Sequence, residues 1–335
     1  MLDELTKLID VSIRNSMKQN NEEFYSPIKY ALGIINLDKS QTTVRPGKSI
    51  RPLVCIITYS ASRIDPSNFI QPSLSLEYIH NFSLIHDDIQ DNDHFRHNKP
   101  TVWKVWGKPK ALILGNILNN LAYLKLTGDE TKLSKEKLTQ ISLILNSATL
   151  EMIEGQYLDI HFETKTNISE KQYLDMISKK TGALIRASVK IGAIIGNYEY
   201  KDIQILHKFS ESLGYLFQIT DDILGIWGDS SKTGKPVGSD IINRKKSLPI
   251  IHCKNQLDQN NLIEFEKIYS SDKTQPNDVE NILNFLNSTN TKSYINQLAN
   301  KYYESCVKYL NKTSIKESEI ELLKLIAQKL ILREK

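Results

Sequence analysis

Apolar residues recur at three- and four-residue steps through much of this chain. In "LSLEYIHNFSLIHDDI" (74–89), Leu76, Ile79, Phe82, Leu84, Ile85 and Ile89 keep that spacing, which predicts a helix with a buried face. "EKLTQISLILNSATLEMIEGQYLDI" (136–160) and "ALIRASVKIGAIIG" (183–196) repeat the pattern. The opening "MLDELTKLIDVSIRNSM" carries acids early and no uninterrupted apolar core. It reads as an amphipathic helix rather than a signal peptide. Polar stretches rich in turn residues separate the periodic runs, at "LDKSQTTVRPGKS", "RIDPSN", "TGDETK", "TKTNIS", "GDSSKTGKPVGSD" and "SSDKTQPND". There is no series of alternating apolar and polar segments of the kind a β-sandwich needs. There is also no internal repeat at solenoid spacing. The expectation is all-α: one large helical bundle forming a single domain over residues 1–335, with peripheral helices at both ends.

Composition narrows the function classes. Of 335 residues 24% are charged, the net charge is +4, and no long Lys/Arg block points to nucleic acid. No apolar run reaches the ~18 residues of a membrane span. Cys55, Cys253 and Cys306 lie far apart without a CxxC pair. They suit a reducing compartment, so a cytoplasmic location is expected, and they give no zinc or disulfide signal.

Two acidic doublets interrupt this pattern. Asp87, Asp88 and Asp91 follow the apolar "FSLI", and Asp221 and Asp222 follow "GYLFQIT". Asp87 and Asp91 share a helix face, a like-charge pair that costs a few tenths of a kcal/mol unless a cation joins it. A single doublet is usually a solvated helix end. Here each doublet breaks an apolar face and is followed by cations: Arg96 and Lys99 after the first, Lys232, Lys235, Arg244, Lys245 and Lys246 after the second. Carboxylates alternating with cations suit a metal–diphosphate site. Mg2+ takes few protein carboxylates and completes its octahedron with water and phosphate oxygens. Arg and Lys neutralise the remaining phosphate charge.

At these residues the sequence resembles the trans-polyprenyl diphosphate synthases of the isoprenoid synthase fold, a helical bundle around a central cavity. The likeness is collinear from about residue 44 to 255. "GKSIRP" is similar to GKxxRP, "IHNFSLIHDDIQD" to the first aspartate-rich motif DDxxD, and "RHNKPTVWKVWG" to the RRGxPT segment. "EGQYLDI", "KKTGALI", "FQITDDILGIWGD" and "TGKPVGSDIINRKKSLP" match the later elements in order. The resemblance implies Mg2+, three ions per active site, held by Asp87, Asp88, Asp91, Asp221 and Asp222. It assigns Arg96, Lys180, Lys235 and Lys245 to the allylic diphosphate. Lys48, Arg51, His80 and His97 would hold isopentenyl diphosphate, and Thr181 and Gln218 would face the allylic carbon. A homodimer is implied as well. The residue chemistry agrees, because ionising an allylic C–O bond needs cations on the leaving diphosphate and an apolar pocket with a few uncharged oxygen dipoles. Gln156 and Asp159 could brace the site or merely pack, and His86 reads as structural.

Five positions depart from the family pattern. Ser49 replaces a common Arg, His97 the second Arg of RR, Asn98 a Gly, Asn116 an acid, and Gly225 the third acid of the second motif. The Gly225 change reads as tolerable. His97 weakens the isopentenyl diphosphate site, since His offers only a conditional charge. Two rivals follow. A terpene cyclase of the same fold would discard Lys48, Arg51 and His80, and a non-catalytic subunit of a heteromeric synthase would lose metal ligands. Both sets of residues are present.

In the resembled family, the fourth and fifth residues before the first Asp set product length. Here they are Ser83 and Phe82. Ser83 lies roughly 6 Å below Asp87 on an ideal helix, nearly on its face, and is small enough to let a chain pass. Phe82 lies about 140° off that face, so its role as a floor comes from the resemblance. An aromatic fifth residue with a small fourth resembles the geranylgeranyl (twenty-carbon) type, with farnesyl (fifteen-carbon) next.

Overall fold

A computed structural model describes residues 1–18, 22–43, 45–62, 64–128, 132–165, 167–229, 237–271 and 276–332. The all-α expectation holds. Among the described residues the only strands are β1 (Phe95–Arg96) and β2 (Lys99–Pro100), paired antiparallel. The N-terminal run is helix α1 (Leu2–Ser16), followed by α2 (Glu22–Ala31) and α3 (Ile50–Ser60). The first acidic doublet ends α4 (Ile70–Gln90). Beyond the hairpin come α5 (Val102–Trp106), α6 (Lys108–Thr127) and α7 (Lys135–Glu163). Then follow α8 (Glu170–Ile177), one π-turn (Ser178–Gly182), α9 (Ala183–Ile195) and α10 (Tyr200–Trp227).

The chain groups into two compact units. One comprises Met1–Leu150, Leu184–His207 and Ser314–Leu323; the other Glu151–Ala183, Lys208–Thr313 and Lys324–Lys335. In the first, α3 is buried from Arg51 to Tyr59 and packs on α4. Its exposed surface is negligible because apolar residues cover every side, which is the signature of a central helix. Gly192 of α9 fits against the Cys55 carbonyl and Thr58, where a β-carbon would collide. Helix α4 packs along α6.

In the second unit, Ile226 at the end of α10 sits in a core with Ile241, Ile250, Cys253, Phe265, Ile282 and Leu286. Helix α8 starts on a capping box, with Ser169 and Gln172 each bonding the other's backbone. The π-turn that follows is gripped from two sides by glycines. A β-carbon on Gly155 of α7 would strike the Lys180 backbone, and one on Gly214 of α10 would lie 3.0 Å from Gly182 Cα. Extra-residue turns of this kind are frequent at functional sites. This one carries "KKTG".

Candidate active site

In the first unit, the hairpin delivers Arg96 to the acidic end of α4. His97 and Asn98 form its two-residue loop with φ of 50° and 59°. Two left-handed residues make a turn that matches the strand twist, and Asn tolerates that conformation best after Gly. The Gly-to-Asn departure at 98 therefore keeps the turn. Trp103 Nε1 and Thr101 Oγ1 donate to the Asp93 carbonyl at 2.9 and 2.8 Å, and Tyr30 donates to the Pro100 carbonyl at 2.6 Å. So anchored, Arg96 places Nε and Nη2 both 2.7 Å from Asp88 Oδ1. Asp88 is buried, and burial pushes its carboxyl up to about 6 despite the guanidinium.

Asp87 and Asp91 are half-buried, and the Asp91 N–H donates to the Asp87 carbonyl at 2.8 Å. His80, nearly two turns earlier, is held well below its ordinary pKa by burial and by the positive charges of Arg51, Arg96 and His97. Four residues expected to hold diphosphates are thus close enough to act on one another. Lys48 stands exposed on the loop before α3, and His97 is exposed at the hairpin tip.

Ser49, where the family has a common Arg, shares a buried acid with Arg45. Arg45 places Nη2 3.3 Å from buried Glu77 and donates from Nε to the Leu32 carbonyl at 2.6 Å. Ser49 donates to the same Glu77 oxygen at 3.2 Å. The loop bearing Lys48 is pinned to α4 by this group.

Ser83 is half-buried and donates to the His80 carbonyl at 2.8 Å. Phe82 is buried, edge-on to His86 at 4.8 Å. His86 lies where a β-carbon on Gly115 would be and faces the Leu112 carbonyl at 3.2 Å, a packing role. Asn116 is exposed.

In the second unit, Lys180 donates to Asp159 at 2.5 Å, so the Asp of "EGQYLDI" holds this ammonium. Thr181 Oγ1 donates to Gln218 Oε1 at 2.7 Å. Gln218 Nε2 donates to Asp222 Oδ1 at 2.9 Å, while Asp222 Oδ2 accepts from Tyr173 at 2.6 Å and from the Leu248 N–H at 3.1 Å. Burial pushes Asp222 up to about 7, against the lowering effect of Tyr173 and Gln218. Burial and Asp222 keep the Tyr173 phenol protonated, well above its ordinary range. Asp222 therefore spends both oxygens on protein donors, and Asp221 beside it is half-buried.

Gly225, where the third acid is missing, has a neighbour that the sequence does not announce. The carboxylate of Asp240 occupies the space a side chain at 225 would take. Residue 225 lies one turn beyond Asp221 on the same face of α10, so a carboxylate does stand at the third position of the motif. Lys245 is exposed, whereas Lys246 caps the end of α7 by donating to the carbonyls of Phe162 at 2.7 Å, Glu163 at 2.8 Å and Lys165. Lys232 and Lys235 lie outside the described residues.

Among the described residues, no three His, Cys, Asp or Glu side chains converge into a ready-made metal cage. Each unit supplies hard carboxylate oxygens of the kind Mg2+ takes, Asp87 and Asp91 in the first and Asp221 in the second.

The polyprenyl synthetase family model matches residues 37–286. The chain belongs to that family. A short chain isoprenyl diphosphate synthase of Methanocaldococcus jannaschii is 37% identical over 240 residues, 72% of each chain. A geranylgeranyl diphosphate synthase of Sulfolobus acidocaldarius is 33% identical, over 86% of this chain and 88% of that one. The crystal structure of geranylgeranyl pyrophosphate synthetase from Pyrococcus horikoshii superposes with a TM-score of 0.87 at 32% identity, covering 98% of this chain and 96% of the other. The family expected from the motifs, its all-α isoprenoid synthase fold and its enzyme class, prenyltransferase, are the ones found. The family match extends beyond the motif-bearing segment at both ends. No described helix is long and apolar enough to cross a membrane.

Proposed function

We propose that this chain is a Mg2+-dependent synthase that condenses isopentenyl diphosphate with an allylic diphosphate. Its main product is the all-trans twenty-carbon geranylgeranyl diphosphate, with the fifteen-carbon farnesyl diphosphate next. The observation that carries this reading is the Thr181–Gln218 pair beside Lys180. Two uncharged oxygen-bearing groups, hydrogen-bonded to each other one residue along from Lys180, suit a reaction in which an allylic C–O bond breaks and a carbocation develops.

Asp87, Asp91 and Asp221 would hold Mg2+, with Asp88 oriented by Arg96 and Asp222 by its own donors. Bound there, Mg2+ would neutralise the leaving diphosphate. Arg96, Lys180, Lys235 and Lys245 bind that diphosphate, while Lys48, Arg51, His80 and His97 bind the second substrate. The C–O pair of electrons leaves with the diphosphate. The double bond of isopentenyl diphosphate then attacks the allylic carbon, and the proton lost from the adduct goes to the departed diphosphate. Ser83 and Phe82 set the length of the growing chain.

We take residues 1–335 as a single synthase domain, because the family match runs through residues of both compact units. A homodimer is supported by an apolar stripe along α7, where Leu143, Leu150, Ile153, Tyr157 and Ile160 are all exposed and recur at helical spacing. Incubation with isopentenyl diphosphate, an allylic diphosphate and Mg2+, with products identified after dephosphorylation, tests the reading. An all-trans twenty-carbon alcohol is expected. A cyclic hydrocarbon would mean a cyclase, and no turnover would mean a binding subunit.

A further inference from the structure

We propose that Tyr173 is a positioning residue for the reaction: by fixing Asp222, and through it the amide of Gln218, its phenol sets the direction of the Thr181 hydroxyl. The inference rests on the reading that Thr181 and Gln218 stand beside the reacting allylic carbon. Nothing in the sequence motifs points to Tyr173, which precedes "KKTG" in α8 and is buried at 4% exposure.

The chain of hydrogen bonds has one polarity. In its ionised form, with the Tyr173 O–H, the Leu248 N–H and the Gln218 amide all directed at it, Asp222 only accepts. Asp222 therefore takes the Gln218 amide by its nitrogen, at 2.9 Å, and the amide oxygen must face the other way. That oxygen meets Thr181 at 2.7 Å and can only accept, so the hydroxyl hydrogen is committed to Gln218. What Thr181 offers on its remaining side is lone pairs, the negative end of a dipole. A developing carbocation is stabilised by that end and opposed by the other.

Tyr173 secures the far end of the chain. It donates to Asp222 Oδ2 at 2.6 Å, beside the Leu248 N–H at 3.1 Å. These two donors fix the rotation of the carboxylate, so that Oδ1 stays aimed at Gln218. With the phenol gone, one main-chain donor remains on that oxygen, and the carboxylate is free to turn. The Gln218 amide then loses its fixed partner and can flip. Its nitrogen would donate to Thr181, and the hydroxyl hydrogen would swing toward the substrate.

A purely structural tyrosine would also satisfy a buried carboxylate, so the test needs more than a loss of rate. Steady-state kinetics with isopentenyl diphosphate, an allylic diphosphate and Mg2+ are measured for wild type, Tyr173→Phe, Thr181→Val and the double variant of the full chain. Tyr173→Phe should lower kcat roughly ten- to hundredfold, with KM for isopentenyl diphosphate within about twofold. In the Thr181→Val background the same change should cost less than about twofold, because the group it acts through is gone. An equal loss in both backgrounds, or an undiminished kcat in the single variant, would overturn the proposal. If Tyr173→Phe does not fold, as judged by circular dichroism, Tyr173→Met enters the same cycle and is read the same way. A wild-type protein inactive with both substrates would instead sink the functional reading beneath it.

Discussion

The carboxylate of Asp240 lies against Gly225, in the volume that a side chain there would fill. The sequence shows a motif short of its third acid, and on that basis adding one at 225 looks harmless. The Asp240 carboxylate in that space leads to a different prediction. Gly225→Asp and Gly225→Ala should both displace Asp240, so both should lower kcat and raise the Mg2+ concentration needed for half-maximal rate. Groups that orient a metal site are typically worth ~10-fold or more in affinity or activity. Mg2+ titrations of activity, backed by thermal shift with Mg2+ and inorganic diphosphate, would check it. Unchanged values for Gly225→Asp would mean Asp240 swings away at no cost.

A second close approach leads to a stability prediction. Gly155 lets α7 touch the backbone of Lys180 in the π-turn. A methyl group there has no room, so Gly155→Ala should destabilise the protein by about 1–3 kcal/mol, the usual range for overpacking. It should also move Lys180 off Asp159 and raise KM for the allylic diphosphate. Urea denaturation and KM for both substrates are the measurements, with KM for isopentenyl diphosphate expected to change less.

These glycines mark where sequence reading stopped. The period of 3.6 residues made the long helices legible: the runs at 74–89 and 136–160 became Ile70–Gln90 and Lys135–Glu163. Asp87, Asp91, Lys180, Thr181 and Gln218 stand out in the sequence because they sit in motifs with fixed spacing. What stayed hidden depends on parts of the chain meeting. The π-turn exists because Gly155 and Gly214 admit close neighbours. Tyr173 gains a role only when α8 and α10 bring its phenol to Asp222. Arg45 and Ser49 meet at Glu77 only because one loop brings both positions to α4. The local composition around 45, 173 and 240 carries no trace of these pairings.

His80 carries a pH dependence whose sign is fixed. Burial and the charges of Arg51, Arg96 and His97 keep its folded pKa well below the ordinary value. Above pH ~6.5 the ring is neutral both folded and unfolded, and it contributes nothing. Below that, the unfolded chain takes up a proton that the folded state resists, so stability falls with falling pH by up to ~1.4 kcal/mol per unit. Denaturation midpoints from pH 7 to 5 should decline less in His80→Gln than in wild type. Inorganic diphosphate, placing negative charge beside the ring, should also shallow the wild-type decline. Superimposable wild-type and His80→Gln curves would show that the ring is not under this constraint.

Direct metal ligands should separate from residues that orient them. Asp87→Ala and Asp221→Ala should each cut turnover by orders of magnitude with circular dichroism unchanged, since each removes an oxygen meant for Mg2+. Asp88→Asn should be milder, because Asp88 is occupied by Arg96. A folded Asp87→Ala protein with near-normal rate would remove the site assignment.

The last prediction concerns product length. Ser83 is half-buried one turn below Asp87 on α4, and its hydroxyl is turned back onto the His80 carbonyl. Nothing polar therefore projects from this position toward a passing chain. A large ring there would fill the passage, so Ser83→Phe should move the main product from twenty to fifteen carbons, with little change in the rate of the first condensation. Phe82 is buried edge-on against His86. Phe82→Ala removes that ring and leaves a cavity rather than a floor, so products should lengthen, at a stability cost of about 3–5 kcal/mol. Chromatography of dephosphorylated products decides both, and stability can be followed separately by thermal denaturation. If Ser83→Phe folds and still yields the wild-type alcohol, the chain does not grow along this face of α4, and the length limit belongs to another helix.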